Sequence, residues 1–576
     1  MRRGTNRKKQ KNQASAKNLP CQKNDRAVIK IVDIGSGGEG IGFLKISDEI
    51  QDTDTEKDKD RNKNINADKY TDIDSDINKE KDRDWNQDQK QDRNKDTGAG
   101  TGKKKPAKKG FAIFVKDAVP GDTIEMTVTK VTSRYAYGHL DRILEPSPFR
   151  VEPRCPIART CGGCQIQALD YAKQLSFKQK KVRENLIRIG GFAPEKIDAV
   201  MHSIVGMEEP WHYRNKEQVP VQQGKYGPVT GFYASHSHTV IPMTDCCIGS
   251  PKNKQILETV LSWMQAYNVP AYDEETGKGL IRHILIRDGI YSGQVMVCVI
   301  ANDYRIPYEK ELVEALRGLE GVASIVLNTN TERTNVITGR ALRTLWGTDD
   351  IEDTLHIHEV TQGSISAELS AEDMTAGGLT STTFKRTEES VTFGISPLSF
   401  YQVNPRQTEK LYSLALNCAG LTGNETVWDL YCGVGTISLF MARHAKKVYG
   451  VEIIPEAIEN ARENARRNEI ENAEFYVGKA EEVLPNYVEN LKAEGKDPQI
   501  DVICVDPPRK GCDDVCIQTI LEIAPKRIVY VSCDPATLAR DLKKLEEGGY
   551  SLDYVQPVDQ FAHTVHVETV CLLTHF

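Results

Sequence analysis

After residue 425 the chain settles into a rhythm that few folds accept. Short runs rich in Val, Ile and aromatic residues at 426–431, 447–452, 473–477, 501–506 and 527–532 take turns with longer stretches patterned for helix. Strands this apolar have no solvent face, and strand alternating with helix calls for a mostly parallel sheet covered on both sides. Ligands of such sheets lie at the carboxyl ends of the strands, so the residues there are the first candidates for chemistry.

Asp429-Leu-Tyr-Cys-Gly-Val-Gly-Thr follows the first run and opens a helix. Gly433 and Gly435 let the backbone pass close to a ligand that a Cβ would obstruct, and Glu452 ends the second run, where a carboxylate can take both ribose hydroxyls. The phosphate-loop pattern ending in Gly-Lys-Ser/Thr is absent there, which disfavours triphosphate hydrolysis. A short Gly-x-Gly turn with an acidic strand end suits S-adenosylmethionine or a dinucleotide.

Asp506-Pro-Pro-Arg-Lys-Gly ends the fourth run as a stiff, exposed strand end. Cys533 stands at the tip of the fifth, just before a helix expected from about Asp534, where the helix dipole would favour the thiolate. Cys418, Cys504 and Cys571 are read as packing residues. Near the C-terminus, His563, His566 and Glu568 offer either two metal-ligating imidazoles without a third ligand or ordinary polar roles. A carboxylate such as Glu568, if near a nucleophilic thiol, suits proton abstraction.

The rest of the chain has other patterns. Residues 27–45 and 110–128 read as short strands with glycine corners, the ingredients of a small barrel. Between them, from Asp48 to about Gly100, the sequence is nearly all Asp, Lys, Asn, Gln and Arg, followed by a lysine cluster at 103–109. It cannot bury enough apolar surface to offset its ordering entropy and is expected to be a disordered insertion. Closure entropy grows only logarithmically, so a long insertion is tolerated if it leaves from a hairpin tip. With the insertion set aside, the net charge of −7 falls to near neutrality, and composition does not argue against a nucleic-acid partner.

In the middle region, 171–189 reads as a helix with Lys173, Lys178, Lys180, Lys181, Arg183 and Arg188 on one face, facing either RNA phosphates or solvent. Residues 211–247 read as strands and turns, 281–327 as strand, helix, strand, and 363–390 as a loop. Cys155, Cys161 and Cys164 form a C-x5-C-x2-C run that could converge on one inorganic centre, with a fourth ligand from Asp245-Cys-Cys-Ile. Both Fe–S clusters and structural zinc accept such thiolates.

No apolar run approaches a membrane span, and the basic start lacks the apolar stretch of a secretory signal. A soluble, cytoplasmic protein without membrane contact is expected. Fourteen cysteines in 576 residues are too dilute for a disulfide scaffold.

Together these motifs resemble the RNA (uracil-5-)-methyltransferase family, specifically its 23S rRNA members. The resemblance spans about Ala27 to Phe576 without the insertion. It rests on Gly38-Glu-Gly-Ile-Gly, Pro120-Gly-Asp, the cysteine run, Phe400-Tyr-Gln-Val-Asn, Asp429-Leu-Tyr-Cys-Gly-Val-Gly-Thr, Asp506-Pro-Pro-Arg, Ser532-Cys-Asp-Pro-Ala-Thr-Leu-Ala-Arg-Asp and His563-Thr-Val-His-Val-Glu. The fold it implies is α/β: a Rossmann-like class I SAM methyltransferase domain at 392–576, a mixed α/β central domain at 147–391, and an OB-like TRAM barrel at 27–146 behind a basic disordered tail at 1–26.

The resemblance implies that Gln402, Tyr431, Glu452 and Asp506 line the S-adenosylmethionine and uracil sites. It further implies that Cys533 is the nucleophile and Glu568 the base. Cys155, Cys161, Cys164 and Cys246 would hold a [4Fe-4S] cluster, Cys246 being preferred to Cys247 because it stands two residues before Ile248. Since none of these cysteines falls among the methyl-transfer motifs, a structural role is expected for the cluster. Asp534 stands where members of the family commonly carry Asn, and an extra carboxylate would raise the thiol pKa. The implied activity is methylation of a uridine C5 in 23S rRNA, with RNA as partner and no obligate protein partner. The same chemistry on tRNA, or RNA binding by a vestigial methyltransferase fold, are the alternatives.

Overall fold

The computed structural model describes residues 19–44, 110–234, 237–364, 380–496 and 498–575. The charged insertion expected at about 48–109 and most of the tail expected at 1–26 lie outside the described residues. The chain divides into two compact units, one within Met1–Glu152 with Ala168–Asp170, the other Pro153–Gln167 with Tyr171–Phe576.

The first unit is a closed barrel. Its strands β1 (Arg26–Ile34), β2 (Gly40–Leu44), β3 (Phe111–Val115), β4 (Thr123–Val131) and β5 (Tyr135–Glu145) run in the order β1-β2-β3-β5-β4. Ile29, Ile31, Ile113, Ile124 and Met126 fill it. At Gly40 a Cβ would stand 2.6 Å from the Ala118 carbonyl oxygen, so the strand closes only with glycine there. Leu44 and Phe111, which bracket 45–109, are direct cross-strand partners, so the intervening segment leaves from a hairpin end. Residues 19–25 continue the order toward the N-terminus, with Cys21 buried and the Asn24 N–H donating to the Val128 carbonyl at 2.8 Å.

The second unit opens with α1 (Tyr171–Asn185), a π-helical turn (Leu186–Gly190) and α2 (Pro194–Val200). The basic face expected on α1 is largely consumed inside the protein. Lys178 is fully buried on Asp559 at 2.5 Å, Lys181 donates to the Val565 carbonyl, Arg183 pairs with Asp198 and Arg188 with Glu184. Helical periodicity cannot distinguish a lysine facing water from one facing a buried carboxylate, and here Asp559, some 380 residues away in sequence, decides.

A seven-stranded sheet follows, built from β6 (Lys216–Gly224), β7 (Gly227–Tyr233), β8 (Val240–Pro242), β9 (Ile281–Asp288), β10 (Val295–Ala301), β11 (Val322–Thr329) and β12 (Ala341–Gly347). Helices α3 (Asn253–Ala266) and α4 (Glu309–Arg317) contribute to its core. The expected strand-helix-strand at 281–327 contains an additional strand, because β9 and β10 form an antiparallel pair before α4 begins. The loop expected at 363–390 is also corrected where described. Strands β13 (Ile351–Ser364) and β14 (Thr380–Ile395) form a long hairpin, in which Ser381, Thr382, Thr383 and Ser390 are paired across it while 387–389 fall in an irregularity of the register.

The last part meets the expectation of a mostly parallel sheet. It contains α5 (Pro405–Ala419), β15 (Thr426–Leu430), α6 (Thr436–Ala442), β16 (Lys447–Glu452), α7 (Pro455–Arg467), β17 (Ala473–Val477), α8 (Ala480–Ala493), β18 (Val502–Val505), α9 (Asp514–Ile523), β19 (Arg527–Ser532), α10 (Pro535–Glu547), β20 (Tyr550–Val558) and β21 (Glu568–His575). The strand order is β17-β16-β15-β18-β19-β21-β20. Strands β15 to β19 are parallel, whereas β21 runs antiparallel to β19 and β20. The order reverses between β15 and β18, so the carboxyl ends of these two strands flank the crevice where doubly wound sheets bind ligands. Val182, Leu186 and Ile197 pack with Leu538 and Leu542 under this sheet, and residues 201 and 205 bridge to β20. Among the described residues no helix is long and apolar enough to cross a membrane.

Candidate active site

The turn after β15 takes the shape its glycines suggested. Tyr431, Gly433 and Gly435 have φ of 73°, 55° and 82°, and a Cβ on Gly435 would press on Ala461 and Phe475. The N–H groups of Tyr431 and Cys432 both donate to the Val451 carbonyl, which locks the turn against β16. Glu452 then accepts from the Gly433 N–H at 3.3 Å and the Ile454 N–H at 3.1 Å, so its carboxylate is aimed across the glycine turn. Under the turn, Asp429 accepts from Ser438 at 2.5 Å, and burial pushes its carboxyl up to about 7. The Tyr431 hydroxyl meets the Cys516 thiol.

Gln402 lies just before α5. Its carbonyl accepts from Asn215 at 2.9 Å, and its side chain bonds Tyr412, whose hydroxyl also meets Thr436 at the start of α6. Tyr412 and Asn215 were not singled out from the sequence, and nothing in their local pattern marks them. Tyr412 reads as one more apolar position of an amphipathic helix.

Cys533, Glu568 and Asp506 come together because their strands are neighbours. Ser532 on β19 pairs with Thr569 on β21, which puts Cys533 opposite Glu568 one residue further along. Val505 on β18 pairs with Tyr530, so Asp506 leaves the sheet beside them. Glu568 is buried, and burial together with the Asp506 carboxylate pushes it up to about 8. Burial alone pushes Asp506 up to about 7. The Cys533 thiol is pushed up to about 12 by burial, then by Glu568 and Asp506 and more weakly by Asp534, with Arg509 acting in the opposite sense.

The expected thiolate stabilisation by the α10 dipole is therefore outweighed in the resting protein. Desolvation and two carboxylates exceed the few tenths to 1 kcal/mol of a helix terminus. Asp534 has a different task. It is the N-cap of α10, accepting from the N–H groups of Ala536 and Thr537 at 2.9 and 3.0 Å. Asn caps a helix as well as Asp does, so the departure from the family's usual residue preserves the cap.

Residues 559–567 connect β20 to Glu568 without regular structure, yet six of their nine carbonyls accept from groups elsewhere in the chain. Those of Asp559 and Gln560 accept from Gln407 and Asn404 at the start of α5. Those of Phe561, Ala562 and Val565 accept from Lys178, Tyr213 and Lys181. His563 adopts φ 65°, stacks on Trp211 at 3.8 Å, and accepts at its carbonyl from the N–H groups of Gln165 and Ile166. Burial pushes this imidazole down to about 4, so it is neutral. His563 and His566 thus take polar roles, and the loop was legible in sequence only as a histidine-containing stretch.

Cys155, Cys161, Cys164, Cys246 and Cys247 line one cavity of about 490 Å³, with Arg214, Lys216 and Glu217 in its wall. Among the described residues no three His, Cys, Asp or Glu side chains converge closely enough to hold one metal ion. Burial, followed by the neighbouring cysteines for Cys164 and by Glu217 for Cys246, pushes both thiols up to about 12. A polynuclear cationic centre would fit this donor set, since ligation deprotonates thiols outright and the wall supplies Arg214 and Lys216 to balance thiolate charge. The cavity wall also includes Val403, next to Gln402, and Thr564 in the loop before Glu568. Sequence separation had suggested that the cysteines stand apart from the methyl-transfer motifs, and the tertiary structure makes them neighbours.

A glycine turn and an acidic strand end at the switch point of a doubly wound sheet form the binding end of an α/β protein that takes a nucleoside cofactor. The comparisons narrow this class. A family model described as tRNA (uracil-5-)-methyltransferase matches residues 381–576. A Clostridium tetani protein named as an uncharacterized RNA methyltransferase is 44% identical over 467 residues, covering 81% of this chain and 92% of its own length. A similarly named protein of Clostridium acetobutylicum is 45% identical, covering 80% and 92%. Among solved structures, the Pyrococcus abyssi tRNA (uracil-54, C5)-methyltransferase in complex with S-adenosyl-L-homocysteine matches with TM-score 0.60 and 26% identity, over 81% of this chain and 97% of that one. The chain belongs to the RNA (uracil-5-)-methyltransferase family.

Proposed function

We propose that the protein methylates a uridine C5 in 23S rRNA through a covalent bond between Cys533 and C6. The observation that carries this reading is the register of β19 against β21, which sets a thiol opposite a buried carboxyl at the cofactor edge of the sheet. S-adenosylmethionine, bound by Gln402, Tyr431, Glu452 and Asp506, would supply the methyl group as a sulfonium electrophile. The choice of cofactor accords with the S-adenosyl-L-homocysteine held by the Pyrococcus relative.

C5 of uracil is too weak a nucleophile to be alkylated unaided. The Cys533 thiol gives its proton to the Asp506 carboxylate, and the sulfur pair forms the bond to C6. The C5=C6 pair moves into an enolate through C4 and O4, which makes C5 nucleophilic; C5 would take the methyl as the methyl–sulfur pair stays with the cofactor sulfur, leaving a neutral thioether, and the C4 carbonyl re-forms. The Glu568 carboxylate then removes the C5 proton. The C–H pair restores the double bond, and the C6–S pair returns to sulfur. Since C6 is unreachable in a stacked helix, the target base is flipped out or single-stranded.

We further propose that Cys155, Cys161, Cys164 and Cys246 hold a [4Fe-4S] cluster and that the N-terminal barrel is a TRAM-type RNA-binding module. Only through the family resemblance do the cysteine run and the barrel favour 23S rRNA over tRNA, the substrate class named for the Pyrococcus relative. The test is mass mapping of uridines in cells lacking the protein. Loss of a 5-methyluridine from 23S rRNA supports the reading, and loss from tRNA alone overturns the substrate.

A further inference from the structure

The loop at 559–567 is unusual in what holds it. An irregular segment normally lies at the surface with its carbonyls in water, but this one is largely buried and most of its carbonyls are met by groups from α1, α5, Tyr213 and the segment after Cys164. The most constrained point is His563. A left-handed conformation costs a non-glycine residue of its type free energy and persists only where surroundings over-determine it. Here Gln174 accepts from the His563 N–H at 2.9 Å and its amide nitrogen meets Nδ1 at 3.2 Å, while Gln165 and Ile166 hold the carbonyl at 3.0 and 3.1 Å. Gln174 is itself 1% exposed. This kink directs the chain toward β21, whose first residue is Glu568.

We propose that Gln174, acting through His563, is a positioning residue for the general base, and that it sets the rate at which Glu568 removes the C5 proton. The inference rests on the assignment of Cys533 as nucleophile and Glu568 as base. Gln174 sits on α1, outside the glycine turn and the strand ends that carry Asp506 and Cys533, and it reaches the site through the backbone and imidazole of His563. Its removal frees the left-handed kink, and a displacement of about 1 Å at a proton-transfer group costs of the order of 100-fold. Proton removal follows methyl transfer, so a misplaced base leaves the enzyme trapped as a methylated Cys533–RNA adduct. A residue that served folding alone would instead lower adduct formation and breakdown together.

The experiment follows adduct formation and decay on a denaturing gel, using full-length protein, 23S rRNA fragments and radiolabelled S-adenosylmethionine. It compares the wild type, Gln174→Leu, Gln174→Glu and Glu568→Gln. Gln174→Leu is expected to form the adduct at the wild-type rate and release it about 10- to 100-fold more slowly. S-adenosylhomocysteine affinity, measured by calorimetry, should not change. Gln174→Glu keeps the acceptor for the His563 N–H but loses the amide donor to Nδ1, and should restore release in part. If Gln174→Leu loses its melting transition, Gln174→Asn, one methylene short, carries the same comparison. Release at the wild-type rate, or slowed adduct formation in parallel with slowed release, overturns the proposal while leaving the base assignment intact. If Glu568→Gln itself accumulates no adduct, the base assignment fails and this inference falls with it.

Discussion

Cys533 and Glu568 face one another across an antiparallel strand pair, one residue beyond the bonded partners Ser532 and Thr569. The two residues are 35 positions apart; the strand register sets them opposite one another, and the tightly held loop at 559–567 leads directly into Glu568. Side chains at the ends of hydrogen-bonded strands inherit the rigidity of the sheet, which suits a nucleophile and base that must address adjacent carbons of one ring.

Replacing Cys533 with Ala should reduce methyl transfer by at least about 10³-fold, because the enolate cannot form without the sulfur. RNA binding should be unchanged. Incubation with 5-fluorouridine RNA and S-adenosylmethionine checks both points: the wild type should yield a denaturation-resistant adduct and the variant none.

The carboxyl of Glu568 near 8 gives the activity and stability opposite pH dependences. Adduct release needs the carboxylate and should rise with pH through about 8. Stability should fall over the same range. Between the ordinary carboxylate range and 8 the folded protein holds a proton that the unfolded chain has lost, so raising the pH favours unfolding. Glu568→Gln removes this penalty and should stabilise the protein by about 1–2 kcal/mol at pH 8.5, with no gain at pH 4. Melting curves at the two pH values decide it.

Lys178 and Asp559 form a fully buried pair at 2.5 Å, and Tyr171 donates to the same carboxylate at 2.8 Å. Lys178→Met leaves a buried carboxylate without its counter-charge and should cost about 3–5 kcal/mol. The double variant Lys178→Met/Asp559→Leu should recover most of that loss. Urea titration of the three proteins measures it.

Asp534→Asn keeps both cap bonds and should alter stability by less than about 0.5 kcal/mol, whereas Asp534→Ala should cost about 1 kcal/mol. The Asn variant also removes a carboxylate that raises the Cys533 thiol, so its adduct formation with fluorinated RNA should be faster at neutral pH.

Anaerobically reconstituted protein should lose most of its iron on replacement of Cys155, Cys161, Cys164 or Cys246 with Ser, and retain it in Cys247→Ser. Iron content with visible absorbance gives the readout. Equal loss from Cys246→Ser and Cys247→Ser would reassign the fourth ligand.

The amino-acid sequence by itself determined the architecture of the last third of the chain, the glycine turn with its acidic partner, and the identities of the residues at the strand ends. These are local properties: strand and helix periodicity, and glycines at positions where φ is positive. It also showed that Leu44 and Phe111 flank a segment too polar for a core, and their pairing fits that segment leaving from a hairpin end. It misjudged the basic face of α1 and the loop reading of 380–390, because the deciding contacts, Asp559 with Lys178 and β13 with β14, come from elsewhere in the chain. Only the tertiary structure decided the protonation of Cys533. Helix position is written locally, whereas the low dielectric around Glu568 and Asp506 arises from packing three strand ends together. The same holds for the cysteine cavity. Its wall takes in Val403, next to Gln402, and Thr564, in the loop before Glu568, and spacing along a chain carries no information about distances through space.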